Sequence, residues 1–172
     1  MRVPRTFVFV DIVGFTDYTD HNGDVAAGDL LTGVRGVIRE VCSDLGVRVA
    51  KWLGDGAMIV SVESHTGIQA TLELSERVSL VCQPLALRVG VAVGKALMFE
   101  GDDYIGRAVN LASRLCDIAE PGAVFAPADV TPDLPNGVIG IPRGEVNLKG
   151  FADPVPIIRL QRAQSTISLQ RA

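Results

Sequence analysis

The stretch that decides the fold is Gly101–Arg114, which reads GDDYIGRAVNLASR. Its second half predicts an amphipathic helix, because apolar residues recur at helical spacing along one stripe. The stripe consists of Ala108, Leu111, Ala112, Leu115, Ile118 and Ala119. At 3.6 residues per turn, Asn110 and Arg114 lie one turn apart on the opposite face. A solvated face is the ordinary explanation for such a pair, but an amide next to a guanidinium also suits a ribose and a phosphate.

Length and composition indicate one ordinary globular domain. The chain has 172 residues, of which 48% are hydrophobic and 21% charged, which is enough for one domain with a buried core. A net charge of -4 provides no basic surface, so we expect neither a nucleic-acid partner nor a membrane partner. No apolar run approaches the roughly eighteen residues of a spanning helix. Asp11 interrupts the apolar N-terminal run and no cleavage site follows, which predicts a cytoplasmic protein.

The cysteines and histidines do not suggest a metal centre. Cys42, Cys82 and Cys116 are odd in number, widely spaced and set in apolar contexts, so we expect buried thiols rather than disulfides or ligands. His21 and His65 lack the spacing of metal ligands.

Outside the opening stretch, the hydrophobic pattern predicts alternating strands and helices. The predicted strands are Thr6–Asp11, Val47–Leu53, Ala57–Val62, Ala86–Val93, Ala123–Ala126, Glu145–Leu148 and Pro154–Leu160, and the further helices are Asp24–Leu45 and Thr66–Val78. Gly46 ends the first helix and Gly54-Asp55-Gly56 joins a hairpin. The β-α-β-β-α-β order is the ferredoxin-like split βαβ arrangement, an α+β fold with an antiparallel sheet and helices on one face. We expect one domain over 1–172, with its core at about 6–160 and a frayed polar tail over 161–172.

Two aspartates stand at the ends of apolar strands. Asp11 ends the first strand and Asp55 lies in the hairpin, and either one alone is more often structural. In a split βαβ sheet, however, the first strand and the central hairpin are neighbours, so these carboxylates can converge. Converging carboxylates repel unless a cation lies between them. Oxygen ligands without His or Cys favour Mg²⁺ or Mn²⁺, with nucleotide phosphates completing the shell.

A short glycine-containing loop follows the first of these aspartates. Gly14 precedes Phe15 and Thr16, and a glycine lets the backbone turn so that successive N–H groups face one ligand. Such a loop proves little alone, but directly after a metal-binding aspartate it is suited to a triphosphate.

Three motifs together resemble the class III nucleotidyl cyclases, the adenylate and guanylate cyclase catalytic domain. They are FVDIVGFT at Phe9–Thr16, KWLGDG at Lys51–Gly56 and the opening stretch, and the resemblance runs from about residue 7 to about residue 160. It implies conversion of ATP to 3′,5′-cyclic AMP and pyrophosphate. It also implies that Asp11, Asp55 and the backbone carbonyl of Ile12 hold two divalent metal ions.

The resemblance implies further roles in binding and chemistry. Asn110 would orient the ribose, and Arg114 would neutralise charge on the α-phosphate. Lys149, in NLKG, resembles a second phosphate-binding lysine, with an exposed strand lysine as the equal alternative.

Lys51 and Asp103 resemble the residues that read the base in adenylate cyclases. Lysine donates to adenine N1 and a carboxylate accepts from the 6-amino group. Guanine presents the reverse pattern, so each buried mismatch would cost about 1–3 kcal/mol. Both residues also suit an ordinary solvated surface. Adjacent Asp102 leaves the register open by one, and the spacing to Asn110 favours Asp103.

The resemblance implies a head-to-tail homodimer with two shared active sites. One subunit would supply Asp11 and Asp55, and the other would supply Lys51, Asp103, Asn110, Arg114 and Lys149. Two alternatives remain: a guanylate or relaxed-specificity cyclase, and a non-catalytic module that senses ATP. Degenerate cyclases usually lose a metal aspartate or the Asn/Arg pair, and this chain retains both. The GG-acidic hairpin of diguanylate cyclases is replaced by LGDG.

Overall fold

The computed structural model describes residues 1–100 and 103–164. Within these ranges the chain forms eight strands, three α-helices and one 3-10 turn, Ala128–Asp133. The strands are β1 (Arg2–Val13), β2 (Arg48–Leu53), β3 (Gly56–Ser61), β4 (Ala86–Phe99), β5 (Asp103–Ile105), β6 (Val124–Pro127), β7 (Val138–Val146) and β8 (Val155–Arg162). The helices are α1 (Phe15–Leu45), α2 (Ser64–Ser79) and α3 (Arg107–Ile118).

All described strands join one sheet in the order β2-β3-β1-β4-β6-β8-β7, with β5 paired to the far end of β4. The pairs are antiparallel except for β4 and β6, which are parallel. The α+β fold is confirmed, and the parallel pair is the exception to the expected antiparallel sheet. Because β1 lies between β3 and β4, side chains from both neighbouring strands can reach its C-terminal end.

The helices cover both faces of the sheet, so the expected placement on one face holds for α1 and α2 only. These two helices pack with Val8, Val10 and Ile12 of β1. Helix α3 packs on the opposite face with Phe7. Strand β1 is therefore apolar on both sides, as its uninterrupted apolar run requires.

Two glycines of β4 allow α3 to lie directly on the sheet. A Cβ at Gly90 would overlap backbone atoms of Ala112 and Cys116, and one at Gly94 would lie 2.8 Å from the Ala108 side chain. The predicted apolar stripe is buried except for Ile118, which is 41% exposed at the helix end. This packing leaves Asn110 exposed and Arg114 half-buried on the other side of α3.

Helix α1 begins at Phe15 rather than at Asp24. Gly23 has non-helical angles (φ 82°, ψ 165°) and kinks the element, so the predicted helix corresponds to the part after the kink. The first part, FTDYTDHN, is polar and has no apolar stripe to reveal it.

Other predicted bounds differ for related reasons. Strand β4 continues to Phe99, and β7 occupies Val138–Val146 rather than Glu145–Leu148, because the mostly exposed β7 lacks a clear alternation. The three cysteines are buried and free, as expected. Of the predicted tail, Gln161 and Arg162 belong to β8 instead, and residues 165–172 lie outside the described ranges. Among the described helices, none combines the length and apolarity that crossing a membrane requires.

Substituting Gly90 with valine should lower the free energy of unfolding by about 3 kcal/mol or more, since overpacking against backbone atoms has no easy relief. Gly33→Ala is the matched control on α1, where a new Cβ meets nothing within 4 Å. It should be neutral or stabilise the protein by about 0.5–1 kcal/mol. Urea unfolding followed by circular dichroism measures both. Equal stability of Gly90→Val and the parent chain would show that α3 is not held this closely.

Candidate active site

Asp11 and Asp55 are brought together by the pairing of β1 with β3. The register pairs Val10 with Ala57, which places the turn residues before β3 beside the end of β1. Gly56 permits this approach, because a Cβ there would clash with the Val10 carbonyl and lie 3.3 Å from Asp11 Oδ1. The Ile12 N–H donates to the Asp55 carboxylate. The expected convergence of the two carboxylates is therefore present in a single chain.

The electrostatics of this pair favour a bound cation. Burial, and then the negative charge of Asp11, raise the pKa of Asp55 above its ordinary value, against the opposing effects of backbone hydrogen bonds and Arg88. A divalent ion would relieve the repulsion, and carboxylate and carbonyl oxygens are the ligands that Mg²⁺ and Mn²⁺ prefer. No group of three or more His, Cys, Asp or Glu able to hold a metal occurs in the described ranges.

Arg88 is the residue of this site that the sequence analysis missed. It lies directly opposite Asp11 in the β1–β4 ladder. Its Nη2 and Nε donate to Asp11 Oδ2 at 2.6 and 2.9 Å, and its Nη1 donates to the Asp117 carbonyl at 2.8 Å. The available signal was a lone charge within the apolar strand Ala86–Val93. Arg88 thus places a positive charge directly beside Asp11.

The start of α1 completes this part of the site. Gly14 has left-handed angles (φ 80°, ψ 15°) at the helix N-terminus. Residues 12–17 line a cavity of about 430 Å³ with Asp11, Asp55 and Arg88. The first N–H groups of a helix have no partner within it and carry partial positive charge, which suits an anion. We call this cavity the carboxylate half-site.

A second cavity contains the polar residues of α3. Asn110, Arg114 and Lys149 line a space of about 530 Å³, together with Arg107 and Phe151. Lys149 is exposed and lies in the turn after β7 rather than in a strand. No acidic residue is among the described residues that line this cavity. We call it the α3 half-site, and its three cations suit phosphate oxygens.

Lys51 and Asp103 form an ion pair with 3.0 Å between Nζ and Oδ1, and their side chains are about half exposed (52% and 54%). A β-bulge in β2 makes this contact possible. Val49 pairs with Ile59 and Lys51 pairs with Met58, leaving Ala50 as the extra residue. Directly opposed residues share a face, and Met58 belongs to the α3 face. The bulge therefore turns Lys51 toward Asp103. Asp102, the other candidate for this role, lies outside the described residues.

A family model for the adenylate and guanylate cyclase catalytic domain matches residues 4–160. The chain belongs to the class III nucleotidyl cyclases.

One curated relative of this cyclase domain is a pH-sensitive adenylate cyclase of Mycobacterium tuberculosis, 32% identical over 165 residues. The match covers 91% of this chain and 40% of the relative. The chain therefore spans well under half the length of that protein.

Solved structures share the fold of the cyclase domain. The adenylyl cyclase CyaB from P. aeruginosa superposes with a TM-score of 0.86 at 24% identity, covering 95% of this chain and 96% of that chain. The guanylate cyclase domain of RhGC from Catenaria anguillulae, in complex with GTP, gives 0.83 at 16% identity, covering 95% and 100%. At these identities the likeness shows the fold. Because adenylyl and guanylate cyclases share this fold, the fold does not distinguish ATP from GTP as the substrate. That choice depends on the residues of the site.

The two half-sites of the cyclase domain lie apart within one chain. They share no lining residue among those described. Arg88 donates to the Asp117 carbonyl, so the carboxylate half-site is linked to the C-terminal end of α3. Arg114 donates to the Asp117 carboxylate at 2.9 Å, which adds a polar link along the same helix.

Asp55→Asn should raise the melting temperature of the metal-free cyclase domain at pH 7. Folding raises the pKa of Asp55, so its ionised form costs stability above that pKa, and the cost disappears as the pH falls toward the unfolded value of about 4. The gain from the substitution should shrink in the same direction. Thermal unfolding between pH 4 and pH 8 measures it.

Asp11→Asn is the matched control. It removes the negative charge that pairs with Arg88 and should lower the melting temperature at pH 7, because the half-buried guanidinium loses its ion pair and keeps only neutral acceptors. A melting temperature of Asp55→Asn at or below that of the parent at pH 7 would contradict the electrostatic account of Asp55.

Proposed function

We propose that this cyclase domain converts ATP to 3′,5′-cyclic AMP and pyrophosphate. The observation that carries the choice of ATP is the ion pair between Lys51 and Asp103. Lysine donates to adenine N1 and the carboxylate accepts from the 6-amino group, whereas guanine would oppose both. The adenylate cyclase relative from Mycobacterium tuberculosis supports the same choice.

The carboxylate half-site would hold the metal ions and the outer phosphates. Asp11, Asp55 and the Ile12 carbonyl fit two Mg²⁺ or Mn²⁺ ions, which when bound lower the pKa of the ribose 3′-hydroxyl and neutralise phosphate charge. The backbone N–H groups of Phe15 and Thr16 would bind phosphate oxygens at the start of α1. Arg88, which borders the same cavity, adds a cation for the triphosphate.

The α3 half-site would hold the ribose and the α-phosphate. The 3′-oxygen attacks the α-phosphorus in line, a new P–O bond forms, and the bond to the bridging oxygen breaks, so that pyrophosphate leaves with the electron pair. The hydroxyl proton passes to solvent or substrate, since no described residue is an evident dedicated base. Asn110 orients the ribose, and Arg114 and Lys149 stabilise the charge that grows on the phosphate. The exposed pair between Arg114 and Asp117 is weak enough for a phosphate to displace.

A head-to-tail homodimer would complete two such sites. Each chain contains both half-sites in separate cavities, so a closed two-fold pair places the carboxylate half-site of one protomer against the α3 half-site of its partner. A cytoplasmic location, where ATP and Mg²⁺ are present, belongs to the same proposal.

Incubation with ATP or GTP and Mn²⁺ or Mg²⁺, followed by chromatography of the products, tests the reaction and the base choice. We expect cyclic AMP as the main product. Replacing Lys51 with Glu and Asp103 with Ala should reduce ATP turnover and raise the relative use of GTP, because glutamate accepts from guanine N1–H and the 2-amino group.

Lys95→Glu, at an exposed position of β4, is the control for the lysine-to-glutamate change and should keep the parent preference. A double variant that still prefers ATP would exclude Lys51 and Asp103 as base readers. Nucleotide binding without any cyclic product would instead favour the ATP-sensing module, and equal use of both nucleotides would favour a relaxed-specificity cyclase.

Complementation tests the shared sites. Asp11→Ala and Arg114→Ala should each be nearly inactive, because each homodimer carries its lesion in both sites. After mixing and subunit exchange, half of the dimers are mixed and each has one intact site, so activity should recover to roughly a quarter of the parent value. Recovery should fall on dilution as dimers dissociate. Absence of recovery among exchanging dimers would mean that each site lies within one chain.

A further inference from the structure

Helix α1 holds the hairpin between β2 and β3 through Arg35. Its Nη2 donates to the Gly54 carbonyl at 2.7 Å. Its Cζ lies 4.8 Å from the centroid of the Trp52 ring, within the range of a cation–π contact. The guanidinium therefore contacts both Trp52 and Gly54 of the hairpin, and Gly54 directly precedes Asp55.

Trp52 and Lys51 point to opposite faces of the sheet because of the same β-bulge. Trp52 pairs with Ala57, a residue of the α1 and α2 face, while Lys51 pairs with Met58 on the α3 face. A slip of one residue in β2 would exchange these faces and separate Lys51 from Asp103. A contact that keeps Trp52 against α1 therefore also keeps Lys51 in place.

The guanidinium of Arg35 occupies this position at a cost. Its Nε is buried and has no hydrogen-bond partner in the described part of the chain, and a buried unpaired donor is unfavourable. Arg39, one turn later on α1, also lies against the Trp52 ring, at 5.2 Å from Cζ to the centroid. Only Arg35 combines the ring contact with a hydrogen bond to the turn among the described interactions.

We infer that Arg35 is a positioning residue for the nucleotide site. It fixes the hairpin so that Asp55 reaches Asp11 and Lys51 reaches Asp103, and it touches neither metal nor nucleotide itself. The inference rests on the proposed function, since it assigns the hairpin carboxylate to metal binding and the hairpin lysine to the base.

The test uses Trp52, the one tryptophan of the chain, as a reporter that does not depend on activity. Arg35→Ala should increase quenching of its fluorescence by acrylamide at unchanged far-ultraviolet circular dichroism. It should also weaken binding of Mn²⁺, measured by electron paramagnetic resonance with α,β-methylene-ATP, by at least tenfold. In turnover assays the ratio of ATP to GTP use should fall at the same time, because both hairpin residues move together.

Arg39→Ala is the matched control. It removes a cation from the same ring but leaves the bond to Gly54, so Mn²⁺ binding should stay within about twofold of the parent. Arg35→Lys should recover part of the loss, since lysine keeps the charge and one donor but lacks the planar fork.

Unchanged Mn²⁺ binding and base preference in Arg35→Ala would overturn the inference, even if its melting temperature fell. Equal losses in Arg39→Ala would overturn it as well, because the bond to Gly54 would then be irrelevant. If Arg35→Ala does not fold, Arg35→Lys becomes the deciding variant. A folded Arg35→Lys with the Mn²⁺ binding and the base preference of the parent counts against a positioning role. A second failure to fold counts against it as well. Failure of the proposed reaction is distinguishable, since the parent would then form no cyclic nucleotide while the fluorescence and Mn²⁺ measurements still report on Arg35.

Discussion

The pairing of β1 with β3 on one side and β4 on the other is the constraint on which the rest of the molecule depends. It buries β1 on both faces and ends the strand between two neighbours that each supply one charged side chain. Asp55 arrives from the turn before β3, and Arg88 arrives from β4. Neither contact needs a flexible loop to fold over the site. Asp11 and Arg88 are held by strands and Asp55 by the short turn between β2 and β3, and side chains on strands are positioned more precisely than side chains on long loops.

This arrangement combines favourable and unfavourable electrostatics in one small volume. Arg88 neutralises Asp11 at 2.6 Å, whereas burial and the charge of Asp11 raise the pKa of Asp55. A fold selected for stability alone would not keep the second carboxylate there. Sites that bind cations commonly carry such a cost, which the bound ion relieves. In this pair of carboxylates, Arg88 provides the nearby positive charge.

Register connects the metal-binding and base-reading parts of the proposed site. The extra residue Ala50 in β2 sends Lys51 to one face and Trp52 to the other, so the base reader and the contact with α1 depend on the same pairing. The two half-sites share no lining residue among those described. A chain that spreads complementary halves of a site over its surface is suited to a symmetric pair, in which each half meets the other one.

Local patterns were sufficient for much of this protein. Three of its signals come from residues close together in sequence: the apolar stripe of α3, the apolar strand before Asp11 and the turn residues around Asp55. They predicted the α+β class and the positions of Asn110 and Arg114 on α3. Other features were not predicted. The contact of Arg88 with Asp11 and the bulge at Ala50 depend on strand register, and the face on which α3 packs depends on close packing at Gly90. These features join residues far apart in sequence, as Asp11 and Arg88 show. Periodicity records whether a residue is buried but not which distant strand or helix covers it, so such features emerge when the complete sheet is assembled.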